Sequence, residues 1–199
     1  NDAPSLKAAH IGVAMGARGT DVAREAAALV LLDDDFGAIV RAVRQGRRIF
    51  DNLRKAMRFV FAVHVPIAGL ALLPLLLGAP PLFTPLHIAF LELLIDPVCS
   101  IVFEAEPEED DVMRRPPRDP AAPVFSAGMV IGALAQGALV LLAVAGFHAA
   151  LQPALGADEA RAAAFVALVM CNVALILSNR VFAGSLGASL ARPNPLLWR

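Results

Sequence analysis

The sequence predicts a mainly α-helical, polytopic membrane protein with a small α/β segment at its N-terminal end. Two observations support this fold class: 58% of the 199 residues are hydrophobic, and four apolar stretches each approach the length of about 20 residues that a membrane helix needs. A third is that the charged residues, only 18% of the chain, are concentrated outside those stretches. The net charge of -1 gives no indication of a nucleic-acid partner, and none is expected.

Residues 1–37 predict short alternating helices and strands. Helical segments are expected at 3–9 and 21–27, and short apolar strands at 11–15 and 29–32. This alternation is typical of a parallel sheet. Because so short a segment cannot close a hydrophobic core by itself, we interpret it as the end of a larger α/β domain.

A long basic helix is expected to follow, with residues 38–58 as a cytoplasmic stalk. Apolar Ile39, Val43 and Phe50 recur at helical spacing with arginines between them, and no proline interrupts the run before the first apolar stretch. Such a stalk could transmit movement between the α/β segment and the membrane. It could equally be a basic juxtamembrane helix attracted to anionic lipid.

The membrane domain is expected within residues 59–182. Its four spans are predicted at 59–77, 86–103, 124–150 and 162–181. The first two are separated by a Gly-Ala-Pro-Pro turn signal. Residues 183–199 are then expected to form a further cytoplasmic segment.

The basic residues predict the orientation of the spans. All but one of the 17 lysines and arginines lie before the first span, between the second and third spans, or at and beyond the end of the fourth. The exception is Arg161. The positive-inside rule therefore predicts that both ends of the chain are cytoplasmic.

Two acidic residues interrupt the second span. Glu92 and Asp96 are four positions apart, so they share one helix face. An ionisable side chain near the bilayer centre costs about 2.5–3.5 kcal/mol, so both are expected to face the bundle interior. Pro97 frees a backbone carbonyl one turn earlier, and such carbonyls beside a carboxylate suit a cation. The alternative is a structural pair bonded to neighbouring helices.

Other polar residues in the spans are candidates too. His64 in the first span could bind a metal, carry protons or simply pack. Asn172 and Asn179 share a face of the fourth span and are weaker candidates. Glu104 and Glu106, near the cytoplasmic end of the second span, are expected to be solvated rather than to form an entry funnel.

Small residues in the spans predict packing rather than chemistry. Gly128 and Gly132 form a G-x-x-x-G pattern that predicts close helix packing in the third span. Cys99 and Cys171 lie in apolar runs without a C-x-x-C spacing, so they are expected to be small buried side chains rather than metal or redox groups.

Seven segments resemble motifs of the P-type cation-transporting ATPases, specifically the calcium and sodium pumps. They occur in the family's order along the whole chain, and the first is the most specific. They are NDAPSLK at 1–7, IGVAMG at 11–16, LLDDDF at 31–36, GRRIFDNLRK at 46–55, LIDP at 94–97, RRPPR at 114–118 and MCN at 170–172.

The resemblance implies a fold and cofactors. Residues 1–37 would be the end of a haloacid-dehalogenase-like phosphorylation domain, and the spans would be helices five to eight of ten. Asp2, beside Asn1, would help to hold the catalytic Mg²⁺ of an ATP-hydrolysing cycle; otherwise Asp2 would be a helix cap. The phosphorylated aspartate and the nucleotide site would lie in a missing N-terminal part of the same pump. The chain alone is therefore expected neither to hydrolyse ATP nor to form a phosphoenzyme.

The resemblance also implies a cation site. Asp96 falls on the cation-binding acid of helix six, Glu92 on an asparagine position and His64 on a coordinating position of helix five, with Asn172 as a further candidate. The glutamate positions of the calcium pumps on helices five and eight fall on Ile67 and Val169, so calcium cannot simply be carried over.

The implied function is ATP-driven cation transport through an aspartyl phosphate, in the plasma membrane of a bacterium. One alternative is a truncated, non-catalytic membrane module that associates with or regulates an intact pump. Another is a membrane-anchored phosphatase-like protein, against which the missing nucleophile argues.

Overall fold

The computed structural model of the chain describes residues 2–182, 186–191 and 193–194, without the side chains of Asp96, Ser100, Leu186 and Ala188. These residues divide into two compact units, 1–48 and 49–199. Each unit is described by itself below.

The first unit has the predicted alternating order. Its elements are α1 (Ala3–Ala8), β1 (Val13–Met15), α2 (Asp21–Ala26) and β2 (Leu29–Leu31). The two strands pair in parallel with Val13 opposite Leu29, which confirms the parallel interpretation. β1 begins two residues later than expected.

Asp34 closes the turn after β2. Its backbone is left-handed, with φ of 53°, and its carboxylate accepts hydrogen bonds from the amides of Ala17 at 2.9 Å and Arg18 at 3.0 Å. The Arg18 guanidinium donates a further bond at 2.9 Å. Partial desolvation acts to raise the pKa of Asp34, but these bonds outweigh it and hold the pKa below the ordinary value.

The rest of the chain is helical. The helices are α3 (Gly37–Leu76), α4 (Pro85–Glu104), α5 (Ala127–Leu155), α6 (Ala157–Asn179) and the short α7 (Leu186–Ala191). α3 is continuous, which confirms that the predicted stalk and the first span form one helix. Glycines in the left-handed conformation, Gly78 and Gly156, follow the ends of α3 and α5.

α3 to α6 are each long and apolar enough to cross a membrane, in agreement with the four predicted spans. Their facing sides form a core that includes Phe59, Leu91 and Leu168, each at most 1% exposed. The chain is therefore an integral membrane protein with one helical bundle from residue 49 onward.

Helices α3 and α5 approach each other closely at Gly69 and Gly137. A Cβ added at Gly137 would lie 2.3 Å from the carbonyl oxygen of Ala62, and one at Gly69 would lie 2.5 Å from Leu141. The packing predicted for Gly128 and Gly132 is wrong for the part of the chain described, because a Cβ there meets nothing within 4 Å. Both lie off the helix face of α5 that carries its buried residues.

Candidate functional site

Two of the predicted cation ligands lie close together on neighbouring helices. Nε2 of His64, on α3, lies 3.9 Å from Oε1 of Glu92, on α4. The side chains are 52% and 32% exposed, so neither is closed off by the described residues. The prediction that His64 belongs with the acidic face of the second span fits this contact.

The second ring nitrogen of His64 fixes the orientation of the imidazole. Nδ1 lies 2.8 Å from the carbonyl oxygen of Val60, which can only accept, so Nδ1 carries a proton. In the neutral ring, Nε2 then presents a lone pair to a carboxylate. Metal–ligand distances run from about 2.0 to 2.6 Å, so one cation can contact both groups across 3.9 Å. A proton could bridge the two groups after a small closure.

Asn172 provides a third polar group in the membrane. Its side chain is 4% exposed, and both its amide nitrogen and its amide oxygen lack a hydrogen-bond partner among the described residues. A buried amide left unpaired costs about 1–3 kcal/mol, which makes it unusual in a purely structural position. Within the described part of the chain, the amide of Asn172 is thus available to a ligand.

The side chain of Asp96, the main predicted ligand, lies outside the described residues. Its backbone is part of α4, directly before Pro97. Among the side chains that are described, no three histidine, cysteine, aspartate or glutamate residues cluster closely enough to hold a metal.

Asn179 differs from Asn172 although both lie on one face of α6. Its amide nitrogen donates to the carbonyl oxygen of Leu175 at 2.8 Å and to Oε1 of Gln136, on α5, at 3.1 Å. Asn179 is thus a link between helices. Ile67 is buried, and Val169 packs against the same core, so neither position offers an oxygen.

In the first unit, Asp2 stands at the N-cap position of α1 but makes no side-chain cap bond. The capping role considered from the sequence is therefore absent, and the exposed carboxylate is free to bind elsewhere. Asn1 lies outside the described residues.

A buried ionic cluster lies at the end of the bundle that carries the predicted cytoplasmic segments. Glu106 and Arg180 are both fully buried, with Nε of Arg180 donating to Oε2 at 3.0 Å and Nη2 donating to Oε1 at 3.3 Å. Asn194 donates to Oε2 of the same carboxylate at 2.9 Å. The expectation that Glu106 is solvated is wrong, because its charge is compensated by an arginine 74 positions away. Glu104 is exposed, as expected.

Two residues of α3, Asn52 and Lys55, contact the segment that contains Glu106 and Glu109. Nδ2 of Asn52 donates to the carbonyl oxygen of Glu106 at 2.7 Å. The buried Nζ of Lys55 lies 2.5 Å from Oε1 of Glu109 and 5.3 Å from the centre of the Phe182 ring. The sequence marked Lys55 as a topology signal and as part of the GRRIFDNLRK segment, but gave no sign of its acidic partner.

The segment between α4 and α5 is held on α3 as well. Arg115 forms a two-pronged ion pair with Asp51, with Nη1 to Oδ1 at 3.2 Å, and contacts Asp111 at 3.3 Å. The hydrogen bond to Asp51 raises the pKa of Arg115 above its ordinary value, against partial burial. Arg118 stacks 5.0 Å from the centre of the Phe50 ring.

Several known proteins are similar in sequence to much of this chain. The family model described as cation transporting ATPase, C-terminus, matches residues 80–199. A calcium-transporting ATPase of Listeria monocytogenes is 42% identical over 72% of this chain, which covers 16% of that protein. A calcium-transporting ATPase of Bacillus subtilis is 39% identical over 70% of this chain and 16% of its own length.

A longer match is with a probable cation-transporting ATPase F of Mycobacterium tuberculosis, 35% identical over 90% of this chain and 20% of that protein. The chain thus spans a fifth or less of the length of these relatives. The family match covers more than half of the chain and includes three of its four membrane-capable helices. The chain therefore belongs to the P-type cation-transporting ATPases and corresponds to their C-terminal membrane region.

Proposed function

We propose that this chain is the ion-carrying part of a primary active transporter that moves a cation across the membrane through an aspartyl-phosphate cycle. The observation that carries the proposal is the facing pair of His64 and Glu92 on two neighbouring helices of membrane-spanning length. Titratable groups at that depth are costly and are retained where a cation or a proton compensates them. The family of the relatives supports the same reaction type.

In the complete protein, the phosphorylation reaction would use ATP and Mg²⁺. The exposed carboxylate of Asp2, free of a cap bond, fits the hard oxygen ligand that Mg²⁺ prefers, with Asn1 beside it. Bound there, Mg²⁺ would neutralise charge on the transferring phosphoryl group. We assign residues 1–37 to the end of a haloacid-dehalogenase-like phosphorylation domain; the parallel pair β1–β2 supports this assignment.

We assign the transported cation to one site formed by Asp96, Glu92, His64 and Asn172. Two facts support the assignment besides the 3.9 Å contact: the unpaired amide of Asn172, and the position of Asp96 beside Pro97. Pro97 cannot donate to the carbonyl one turn earlier, which leaves an extra oxygen next to the carboxylates.

The site is proposed to hold one cation per cycle, or to work in a proton-coupled variant. Two relatives are named for calcium transport. In this chain, however, Ile67 is buried in the core and Val169 packs against it, so the positions that would complete a second calcium site carry no oxygen. A histidine ligand also favours a softer cation or a proton over Ca²⁺.

The proposed setting is the plasma membrane of a bacterium, with both ends of the chain cytoplasmic. Residues 38–58 form the stalk, 59–182 the cation-transport domain and 183–199 a cytoplasmic segment. The stalk assignment gains support from the continuity of α3 across residue 58.

The function is tested in the complete pump, with purified protein in lipid and ATP hydrolysis followed while the candidate cations are varied. Asp96→Asn should abolish cation-stimulated hydrolysis, because the site loses its main negative charge. Glu104→Gln, at the exposed end of the same helix, is the matched control and should change it little. Normal stimulation of Asp96→Asn, or two Ca²⁺ bound per pump at equilibrium, would contradict the site.

A further inference from the structure

The buried ionic cluster ties α4 to three other parts of the bundle, and its members are here called the anchor cluster. They are Glu106, Arg180, Asn194 and Asn52, all at most 6% exposed. The carboxylate of Glu106 accepts three hydrogen bonds, two from Arg180 and one from Asn194. Its main-chain oxygen accepts a fourth, from Asn52 on α3.

Further hydrogen bonds connect the anchor cluster to α6 and α7. Nη1 of Arg180 donates to the carbonyl oxygen of Ser189, on α7, at 2.8 Å, and the Ser189 hydroxyl donates to the carbonyl oxygen of Leu177, on α6, at 2.5 Å. Asn194 donates a second bond to the carbonyl oxygen of Val102, inside α4, at 3.1 Å. A buried ion pair contributes little net stability compared with apolar side chains of the same volume, so its presence suggests a specific arrangement.

The bonds to Val102, in α4, and to Glu106, two residues beyond the end of α4, all lie on one side of Pro97. Val102 and Glu106 belong to the stretch after Pro97, which the cluster joins to α3, α6 and α7. Glu92 and Asp96 lie on the other side, where α4 lacks the hydrogen bond that Pro97 cannot donate. Pro97 thus divides α4 into a part that the cluster contacts and a part that carries Glu92 and Asp96.

We propose that the anchor cluster holds residues 97–106, the second half of α4 and the two residues that follow it, here called the pinned half, so that rearrangement on cation binding is confined to the half of α4 that carries Glu92 and Asp96. Glu106 and Arg180 are then positioning residues for the cation site, which they do not touch. This role rests on the proposed transport function. It assigns to the pair a task in cation affinity beyond holding the bundle together.

The main variant removes both charges at once: Glu106→Met with Arg180→Met in the complete pump. Losing both partners avoids leaving one charge buried and uncompensated. We expect the melting temperature to stay near that of the wild type. The cation concentration for half-maximal ATP hydrolysis should rise roughly tenfold, as expected when one or two buried hydrogen bonds that bias the binding arrangement are lost. The maximal rate should fall much less.

A matched control removes a nearby ion pair that joins α3 to the segment after α4: Lys55→Met with Glu109→Met. It should leave the half-maximal cation concentration unchanged within about twofold, a factor smaller than one lost hydrogen bond accounts for. Asn194→Ala is a milder variant that removes two bonds to the pinned half without removing a charge. Asn194→Ala should raise the cation concentration for half-maximal hydrolysis a few-fold. If the double variant does not fold, this variant tests the proposal.

Hydrogen exchange of the complete protein tests the anchor independently of transport. The double variant and Asn194→Ala should speed amide exchange in residues 98–106 and leave 86–95 unchanged. Unchanged exchange in 98–106, or a folded variant with unchanged cation dependence, would overturn the proposal. If the wild type shows no cation-stimulated hydrolysis, the proposed function fails. The exchange data then test by themselves whether the anchor cluster holds residues 98–106.

Discussion

Adding a single methyl group at Gly137 should weaken the contact between α3 and α5. The Cβ of Gly137→Ala would lie 2.3 Å from the carbonyl oxygen of Ala62, and 2.7 Å from Cβ of Val65. Real Cβ atoms do not approach a backbone oxygen this closely. Because the obstacle is backbone rather than a flexible side chain, one of the two helices must shift.

The shift disturbs a packed interface, and overpacking of this kind costs about 1–3 kcal/mol. Gly132→Ala on the same helix is the matched control. Its Cβ meets nothing within 4 Å, and alanine favours a helix over glycine by about 0.8–1 kcal/mol, so it should be neutral or slightly stabilising. The two substitutions differ only in the face of α5 that they modify.

The assay is a thermal melt of the complete, detergent-solubilised protein, read as the loss of its monodisperse peak on size exclusion. Gly137→Ala should melt at a lower temperature than the wild type, and Gly132→Ala should not. Equal melting of the two variants would refute the assignment of the packing face of α5. A lowered melting temperature for Gly132→Ala would reinstate the G-x-x-x-G pattern as a packing signal.

Two other predictions address topology and the first unit. A cysteine introduced at Ala157 should react with an impermeant thiol reagent from outside the cell, and one at Pro120 only after permeabilisation; the reverse pattern would contradict the orientation. Since hydrogen bonds hold the pKa of Asp34 below 3.8, its contribution to folding is present above pH 3.8 and is lost as the pH falls through the lowered pKa. Asp34→Asn should therefore flatten the acid side of the first unit's stability profile, measured by amide exchange, and an unchanged profile would show that Asp34 plays no such part.

Elements that depend on local pattern could be predicted from the sequence. α3 was expected as one helix because nothing between residues 38 and 58 breaks the helical spacing, and it runs from Gly37 to Leu76 without interruption. The parallel pairing of β1 and β2 followed from the helix between them. Helix periodicity and span length act within a few turns, so a single sequence contains enough information to reveal them.

The burial of Glu106 could not be predicted in the same way. Its charge is satisfied by Arg180 and Asn194, which lie 74 and 88 positions further along the chain. Composition and charge counting treat such residues as solvated ends, because they contain no information about which distant group will be close. One clue was available: an arginine in the last turn of an apolar span needs either water or a partner.

The two asparagines of α6 differ in their hydrogen bonding: among the described residues, Asn179 lacks a partner for its amide oxygen alone, and Asn172 lacks one for both amide atoms. They share one helix face, and the sequence treats them alike. Asn179 has its amide nitrogen bonded to Gln136 and to a carbonyl of its own helix, so its nitrogen is already satisfied. Asn172 is equally buried and has no partner for either amide atom among the described residues.

The same contrast divides the acidic residues of α4. The buried carboxylate of Glu106 accepts hydrogen bonds from Arg180 and Asn194, whereas the carboxylate of Glu92 is partly exposed and lies 3.9 Å from the imidazole of His64. A saturated network resists movement and suits a fixed support, while groups with spare bonding capacity can exchange one ligand for another. A transport site must bind and release its cation in turn. His64, Glu92 and Asn172 each keep at least one polar atom available to a ligand among the described residues, so they are the better candidates for contact with the ion. The buried pair of Glu106 and Arg180 is the better candidate for the frame that holds them.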